Sequence, residues 1–189
     1  MKAIHSLILG TVLSLGSLYA ASYKVDTVHS TIEFKVRHMM VSNTKGVFEK
    51  FSGHYNYDAK TKQISSLVGT VDINSVNTRE AKRDAHLKKD DFFDLAKYPT
   101  MSLKLVKHQG DKVILDLTIK ETTKRVTFNV DDLSSESKDP WGNYRTGFVI
   151  TGKINRKDYG LSFNKVLDTG GIAVGNEVKI TMELAGIKK

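Results

Sequence analysis

From Ser22 onward the chain alternates apolar and polar positions with period 2, the spacing of half-buried strands rather than helices. Tyr23-Lys24-Val25-Asp26 begins it. Ile32, Phe34 and Val36 then alternate with Glu33, Lys35 and Arg37, and Val47, Glu49, Phe51, Gly53, Tyr55 and Tyr57 share the next face. Leu67, Gly69, Val71 and Ile73 follow, then Met101, Leu103 and Leu105, then Val113, Leu115, Leu117 and Ile119, then Val126, Phe128 and Val130. Phe148, Ile150, Gly152 and Ile154, and finally Val178, Ile180, Met182 and Leu184, complete a set of eight long strands. Gly110-Asp111-Lys112 and Glu121-Thr122-Thr123-Lys124 are of hairpin length, which predicts antiparallel neighbours.

One stretch, Arg79 to Asp94, does not alternate. Good helix formers run from Glu80 to Lys89 after Asn77-Thr78 as a cap, and Pro99 forbids much continuation, so the pattern predicts one short helix over about 79–90. Ala81 and Ala85 give it a narrow apolar face, and Phe92 and Phe93 follow in a turn as its anchor. A helix this polar is a lid or bracket laid over the strands.

With one apolar face per strand and no second set of helices, the chain is all-β and forms a sandwich or a closed sheet. Closure is the better solution. It removes the edges of long strands, and eight is the strand number at which an antiparallel barrel just holds one small ligand, as in lipocalins. Glycines at Gly53, Gly69 and Gly152 sit inside strands, where they permit bending.

The N-terminus reads differently. Lys2, the apolar stretch Ile4 to Leu18 and the small residues of Leu18-Tyr19-Ala20-Ala21 predict a secretory signal peptide over 1–20, leaving 21–189 as a single domain in the periplasm or outside the cell. No cysteine is present, so this domain is stabilised without disulfides. The net charge is +8, but basic residues never stand more than two together and carboxylates interleave them. That excludes a nucleic-acid face and is compatible with weak contact with an anionic membrane surface.

If the alternating faces point inward, the candidate lumen residues are Phe34, Val36, His38, Met40, Phe51, Leu67, Val71, Leu103, Leu117, Phe128, Phe148 and Ile150. Pattern alone favours a solidly filled interior over a cavity by about two to one. The polar helix shifts that balance toward a tube that admits an apolar chain and keeps its polar end near water. Arg83, Asp84, His86, Phe92 and Phe93 are then the candidate mouth and head-group residues.

Several motifs carry a resemblance: Tyr23-Lys24-Val25-Asp26 with His29-Ser30, Phe34-Lys35-Val36-Arg37-His38, Gly46-Val47-Phe48, Arg83-Asp84-Ala85-His86-Leu87, Phe92-Phe93-Asp94, Tyr98-Pro99, Trp141-Gly142, and Arg156-Lys157-Asp158-Tyr159-Gly160. Over essentially the whole mature chain they resemble the YceI family of bacterial exported proteins. The resemblance implies an extended eight-stranded lipocalin-like barrel that binds a long amphiphile, such as a polyisoprenoid, an isoprenoid quinone or a fatty-acid amide. It implies a periplasmic lipid-binding protein for carriage or sequestration, with no cofactor beyond the bound lipid.

The remaining constellations point to no chemistry. His29, His38, His54, His86 and His108 show no metal-ligand spacing, so no metal is expected. Arg83, Asp84 and His86 stand at i, i+1 and i+3 of a helix and do not converge on one point, and no nucleophile motif is present, so no catalytic residue is assigned. An enzyme acting on an isoprenoid or lipid through these mouth residues is the alternative. Self-association into a homodimer stays open.

Overall fold

The computed structural model describes residues 20–166 and 172–189. The expected signal peptide, apart from Ala20, lies outside the described residues. The strands are β1 (Ala21–Val25), β2 (Thr31–His38), β3 (Ser42–Phe48), β4 (Phe51–Asp58), β5 (Gln63–Asp72), β6 (Val76–Asn77), β7 (Thr100–Gln109), β8 (Lys112–Ile119), β9 (Thr122–Asp131), β10 (Ser137–Lys138), β11 (Tyr144–Asn155) and β12 (Val174–Lys188). Among the described residues a single α-helix, α1 (Ala81–Leu87), separates β6 from β7.

All named ladders are antiparallel, and the order β11-β9-β8-β7-β5-β4-β1-β12 closes on itself through an eleven-pair β11–β12 ladder from Arg145↔Ile187 to Asn155↔Glu177. The remaining segments extend this barrel. Along β12, β1 occupies Lys188 to Gly186, and β2 continues on the same side from Glu183 to Val174. In the same way β3 pairs with β2 while β4 pairs with β1, and β6 pairs with β3 while β5 pairs with β4. Three long strands are therefore each broken once, and the barrel has the eight antiparallel strands that the alternation predicts. The β1–β2 break is stitched by Ser30, whose hydroxyl donates to Ala185 O and accepts from Ala185 N–H. Two-residue connections join β7 to β8 and β8 to β9, with Gly110 and Lys120 in left-handed backbone.

Two features of the helix differ from expectation. It spans Ala81–Leu87, and its cap is Glu80, whose carboxylate accepts from Lys82 N–H and Arg83 N–H. Asn77 and Thr78 cannot cap it, because Arg79 turns the chain through left-handed backbone (φ 64°) between them and the helix. Ala81 and Ala85 are exposed, while Arg83, His86 and Leu87 face the barrel. The rotation is set by Arg83, which donates from Nε to Thr78 Oγ1 at 2.7 Å and from Nη2 to Thr78 O at 2.8 Å.

The interior is divided along its length. At one end the rings of Tyr23, Tyr55 and Phe148 pack in sequence, with centroids 5.3 Å and 4.9 Å apart, and Tyr57 leans on Phe148 at 6.3 Å. Ile64, Leu67, Val113, Leu115, Phe128, Val130 and Ile150 complete this buried plug. The phenol groups are satisfied at its margin: Tyr55 by Thr146, Tyr57 by Ser134 O at 2.8 Å, and Tyr23 by Glu136. Gly152 is required here because a Cβ would enter the ring of Phe128.

Candidate ligand-binding cavity

The other end of the barrel is hollow. Its cavity of about 290 Å³ is walled by Ile32, Phe34 and Val36 from β2, Phe48 from β3, Val71 from β5, Met101 and Leu103 from β7, and Leu117 and Ile119 from β8. Ile154 of β11 and Val178, Ile180 and Met182 of β12 close the circle. These residues belong to the inward-facing positions of their strands, so alternation turns them toward the lumen.

The roof is aromatic. Phe92 and Phe163 lie 4.9 Å apart, and His86 meets both edge-on at 5.0 and 4.6 Å. Phe93 meets Phe48 edge-on at 6.1 Å, and Phe48 reaches Phe34 at 5.6 Å. Such contacts add to burial and hold the turn after α1 against the strands. Leu87 and Leu161 also line this cavity.

Four polar side chains beside the roof are held by intramolecular partners. Arg83 is bound to Thr78, and Asp84 accepts the Thr78 N–H at 2.9 Å and its hydroxyl. His86 Nε2 lies 2.9 Å from Asp91 Oδ2. Arg156, 3% exposed, donates to three carbonyls: Gly175 O at 2.8 Å, Val174 O at 3.2 Å, and Leu161 O. Its charge is thus dispersed over peptide dipoles rather than paired with a carboxylate among the described residues, and burial pulls its pKa downward. Beside the apolar cavity lies a polar groove of about 690 Å³ between β3, the Asn77–Arg79 turn and α1. Glu33, His38, Thr44 and Arg83 border both spaces.

The structure sorts the sequence-derived candidates by depth. Phe34, Val36, His38, Val71, Leu103 and Leu117 line the cavity, as do Arg83, His86, Phe92 and Phe93. Leu67, Phe128, Phe148 and Ile150 do not: they belong to the plug, at 2% exposure or less. Phe51 packs half-buried on the margin of the core. Met40 does not point inward, because it sits in the β2–β3 turn with φ 61° and is exposed. Asp84 is a tie for Thr78 rather than a group at the mouth.

Sequence reasoning missed Arg156, Leu161 and Phe163, which follow β11 outside any alternating run, and also Phe48 and the inward set of β12. For β12 the signal existed, since Val178, Ile180 and Met182 alternate with Lys179, Thr181 and Glu183. The histidines are dispersed: His29 binds Asp26, His54 is exposed, and His108 accepts from Ile64 N–H at Nδ1, so Nε2 carries the proton donated to Gly110 O. Among the described residues no cluster of three or more His, Cys, Asp or Glu side chains could hold a metal.

The fold and sequence have known counterparts. UPF0312 protein SA2479 of Staphylococcus aureus is 37% identical over 159 residues, covering 84% of this chain and 92% of that protein. A Campylobacter jejuni YceI protein of known structure superposes with a TM-score of 0.69 at 28% identity, over 81% of this chain and 90% of that one. A polyisoprenoid-binding domain from Saccharophagus degradans shares the fold, with a TM-score of 0.65 at 17% identity over 90% and 99% of the two chains. The YceI-like domain pattern matches residues 23–185, and with that match the chain belongs to the YceI family.

Proposed function

We propose that this protein binds one long-chain amphiphile in the hollow end of its barrel, as an exported carrier or sequestering protein rather than an enzyme. The observation that carries the reading is an apolar, aromatic-roofed cavity whose bordering Arg83, His86 and Arg156 are already held by protein partners. Such a wall offers a tail dispersion and dehydration, while Arg83, His86 and Arg156 are engaged within the protein. The polyisoprenoid-binding description of the Saccharophagus degradans domain supports an isoprenoid or similar chain as occupant. Isoprenoids, isoprenoid quinones and fatty-acid amides all fit the requirement of an apolar tail and a compact polar head. The leader-like pattern over residues 1–20 supports a periplasmic or secreted setting.

The cavity sets a scale for the tail. At about 30 Å³ per carbon, close to the volume of a water, it takes on the order of ten carbons. Each buried methylene contributes roughly 0.8 kcal/mol, so the tail supplies about 8 kcal/mol before ordering costs. The head group, lying toward the polar groove beside His38 and Arg83, adds about 1–3 kcal/mol and acts mainly in selection.

The test is extraction of the purified protein with organic solvent and mass spectrometry of the extract, followed by titration of delipidated protein with prenyl alcohols. A retained amphiphile and unchanged ligand on prolonged incubation are expected. Turnover of added isoprenoid that disappears in His86→Ala would replace this reading with an enzymatic one.

A further inference from the structure

At the hollow end, the β2–β3 connection is a tight turn closed by Val41 N–H donating to His38 O at 3.2 Å. Met39 (φ 48°) and Met40 (φ 61°) both take left-handed backbone, the geometry that favours Asn-Gly and disfavours long side chains. The turn nevertheless carries methionines 45% and 55% exposed, followed by Val41 at 79%. Met39 N–H donates to Ala173 O at 2.8 Å, Ala173 N–H donates to Lys165 O at 3.0 Å, and the next residue, Val166, is also 79% exposed. Four large apolar side chains therefore crown this rim. Their sequence neighbours His38 and Lys165, and the hydrogen-bonded Ala173, line the cavity itself.

A second feature lies just below the rim. The register sets Lys45 opposite Lys35, Lys35 opposite Lys179, and Lys179 opposite Lys153, a row of four lysines across β3, β2, β12 and β11. They face outward, because Phe34, Val36, Val178 and Ile180 on the same strands face the cavity. Like charges directly opposite in a sheet repel. Among the described residues only Lys153 of the four has a carboxylate within reach, Glu177 at 2.9 Å. Lys35 stands four residues from Met39, roughly 13 Å at ~3.3 Å per residue.

We infer that this end of the barrel docks on an anionic lipid bilayer. The Met39-Met40-Val41 tip and Val166 enter the interfacial region while the lysine row binds anionic head groups, which sets the cavity mouth at the membrane surface. A sparingly soluble tail then passes between bilayer and cavity without crossing bulk water. The purpose rests on the amphiphile-binding reading; the docking is tested without it. Trp141, 80% exposed and the sole tryptophan, lies beyond the start of β11 at the opposite end and reports on the alternative orientation.

The experiment is cosedimentation of delipidated protein with vesicles of phosphatidylcholine alone or mixed with phosphatidylglycerol, while Trp141 emission is followed. Binding to the anionic vesicles only, weakened by salt and without a shift in Trp141 emission, is expected. Lys35→Gln with Lys179→Gln should weaken binding about thirty-fold, at about fivefold per lysine near a surface. Met39→Asn with Met40→Gly keeps the turn in its preferred chemistry and should weaken binding at least about tenfold. Both pairs should melt no lower than the wild type and bind an amphiphile delivered from cyclodextrin unchanged, so loss of docking and loss of ligand binding read separately. Equal binding to neutral vesicles, no binding to either, a blue shift of Trp141, or pelleting without vesicles that the turn variant abolishes would each overturn the inference.

Discussion

The ring of Phe34 occupies the space that a side chain at Gly46 would need: a Cβ at Gly46 would lie 2.6 Å from Phe34 Cε1 and 2.8 Å from Thr78 Cγ2. The two residues are direct cross-strand partners, and Phe34 also walls the cavity. Gly46→Ala is therefore expected to drive the Phe34 ring into the cavity, at a cost of about 1–3 kcal/mol in stability. Ligand titration should show a preference for shorter chains than the wild type, and Gly46→Ala with Phe34→Leu should recover the longer ones. Unchanged chain-length preference in Gly46→Ala would show that the ring moves elsewhere.

Plug and cavity should respond oppositely to substitution. Phe148→Ala empties space in a packed region and is expected to cost about 3–5 kcal/mol in urea unfolding while leaving the preferred chain length alone. Leu117→Trp fills the hollow end; it should change stability little and lower affinity for chains of about ten carbons at least tenfold, the share of roughly two methylenes. Affinity that is flat against chain length in the wild type would mean that no tail enters.

Arg156 fastens the segment after β11 to the start of β12 through three carbonyls. Arg156→Met strips these buried acceptors of their donors and is expected to destabilise by about 3 kcal/mol. Lysine should not rescue it, since an ammonium lacks the planar fork that reaches Gly175, Val174 and Leu161 together. A denaturation midpoint for Arg156→Lys equal to wild type would refute this assignment.

At the plugged end, Arg145 lies between two carboxylates, donating from Nε to Asp139 Oδ2 at 2.7 Å and from Nη1 to Asp26. Its guanidinium, aided by His29 and the Val28 N–H, lowers the Asp26 carboxyl from 3.8 to about 2 and lowers Asp139 as well. Because the folded values lie below the unfolded ones, the stabilisation is complete above the ordinary carboxylate range and fades as pH falls from about 4 toward 2. The gap in urea midpoint between wild type and Arg145→Gln should thus be widest near neutrality and shrink over that window. A gap independent of pH would exclude this linkage.

Much of the architecture was legible in the chain because period-2 alternation is a local property. Inward positions such as Phe34, Val36, Leu103 and Leu117 follow from it, and the short Gly110 and Lys120 turns make the neighbours antiparallel. The polar stretch after Thr78 likewise announced a helix outside the core. Alternation reports which face a side chain takes, however, and carries no information about depth along the barrel axis. Phe148 and Ile154 share one face of β11, yet the first is locked among tyrosines and the second walls the cavity. Only the stagger of eight strands, which brings Tyr23, Tyr55, Tyr57 and Phe148 to one level, decides where the interior is filled. Tertiary contacts also turned α1, since the bonds from Arg83 to Thr78 outweigh the weak apolar face of Ala81 and Ala85. The lysine row exists only through register: Lys35, Lys45, Lys153 and Lys179 are unremarkable in sequence and become neighbours when β3, β2, β12 and β11 pair.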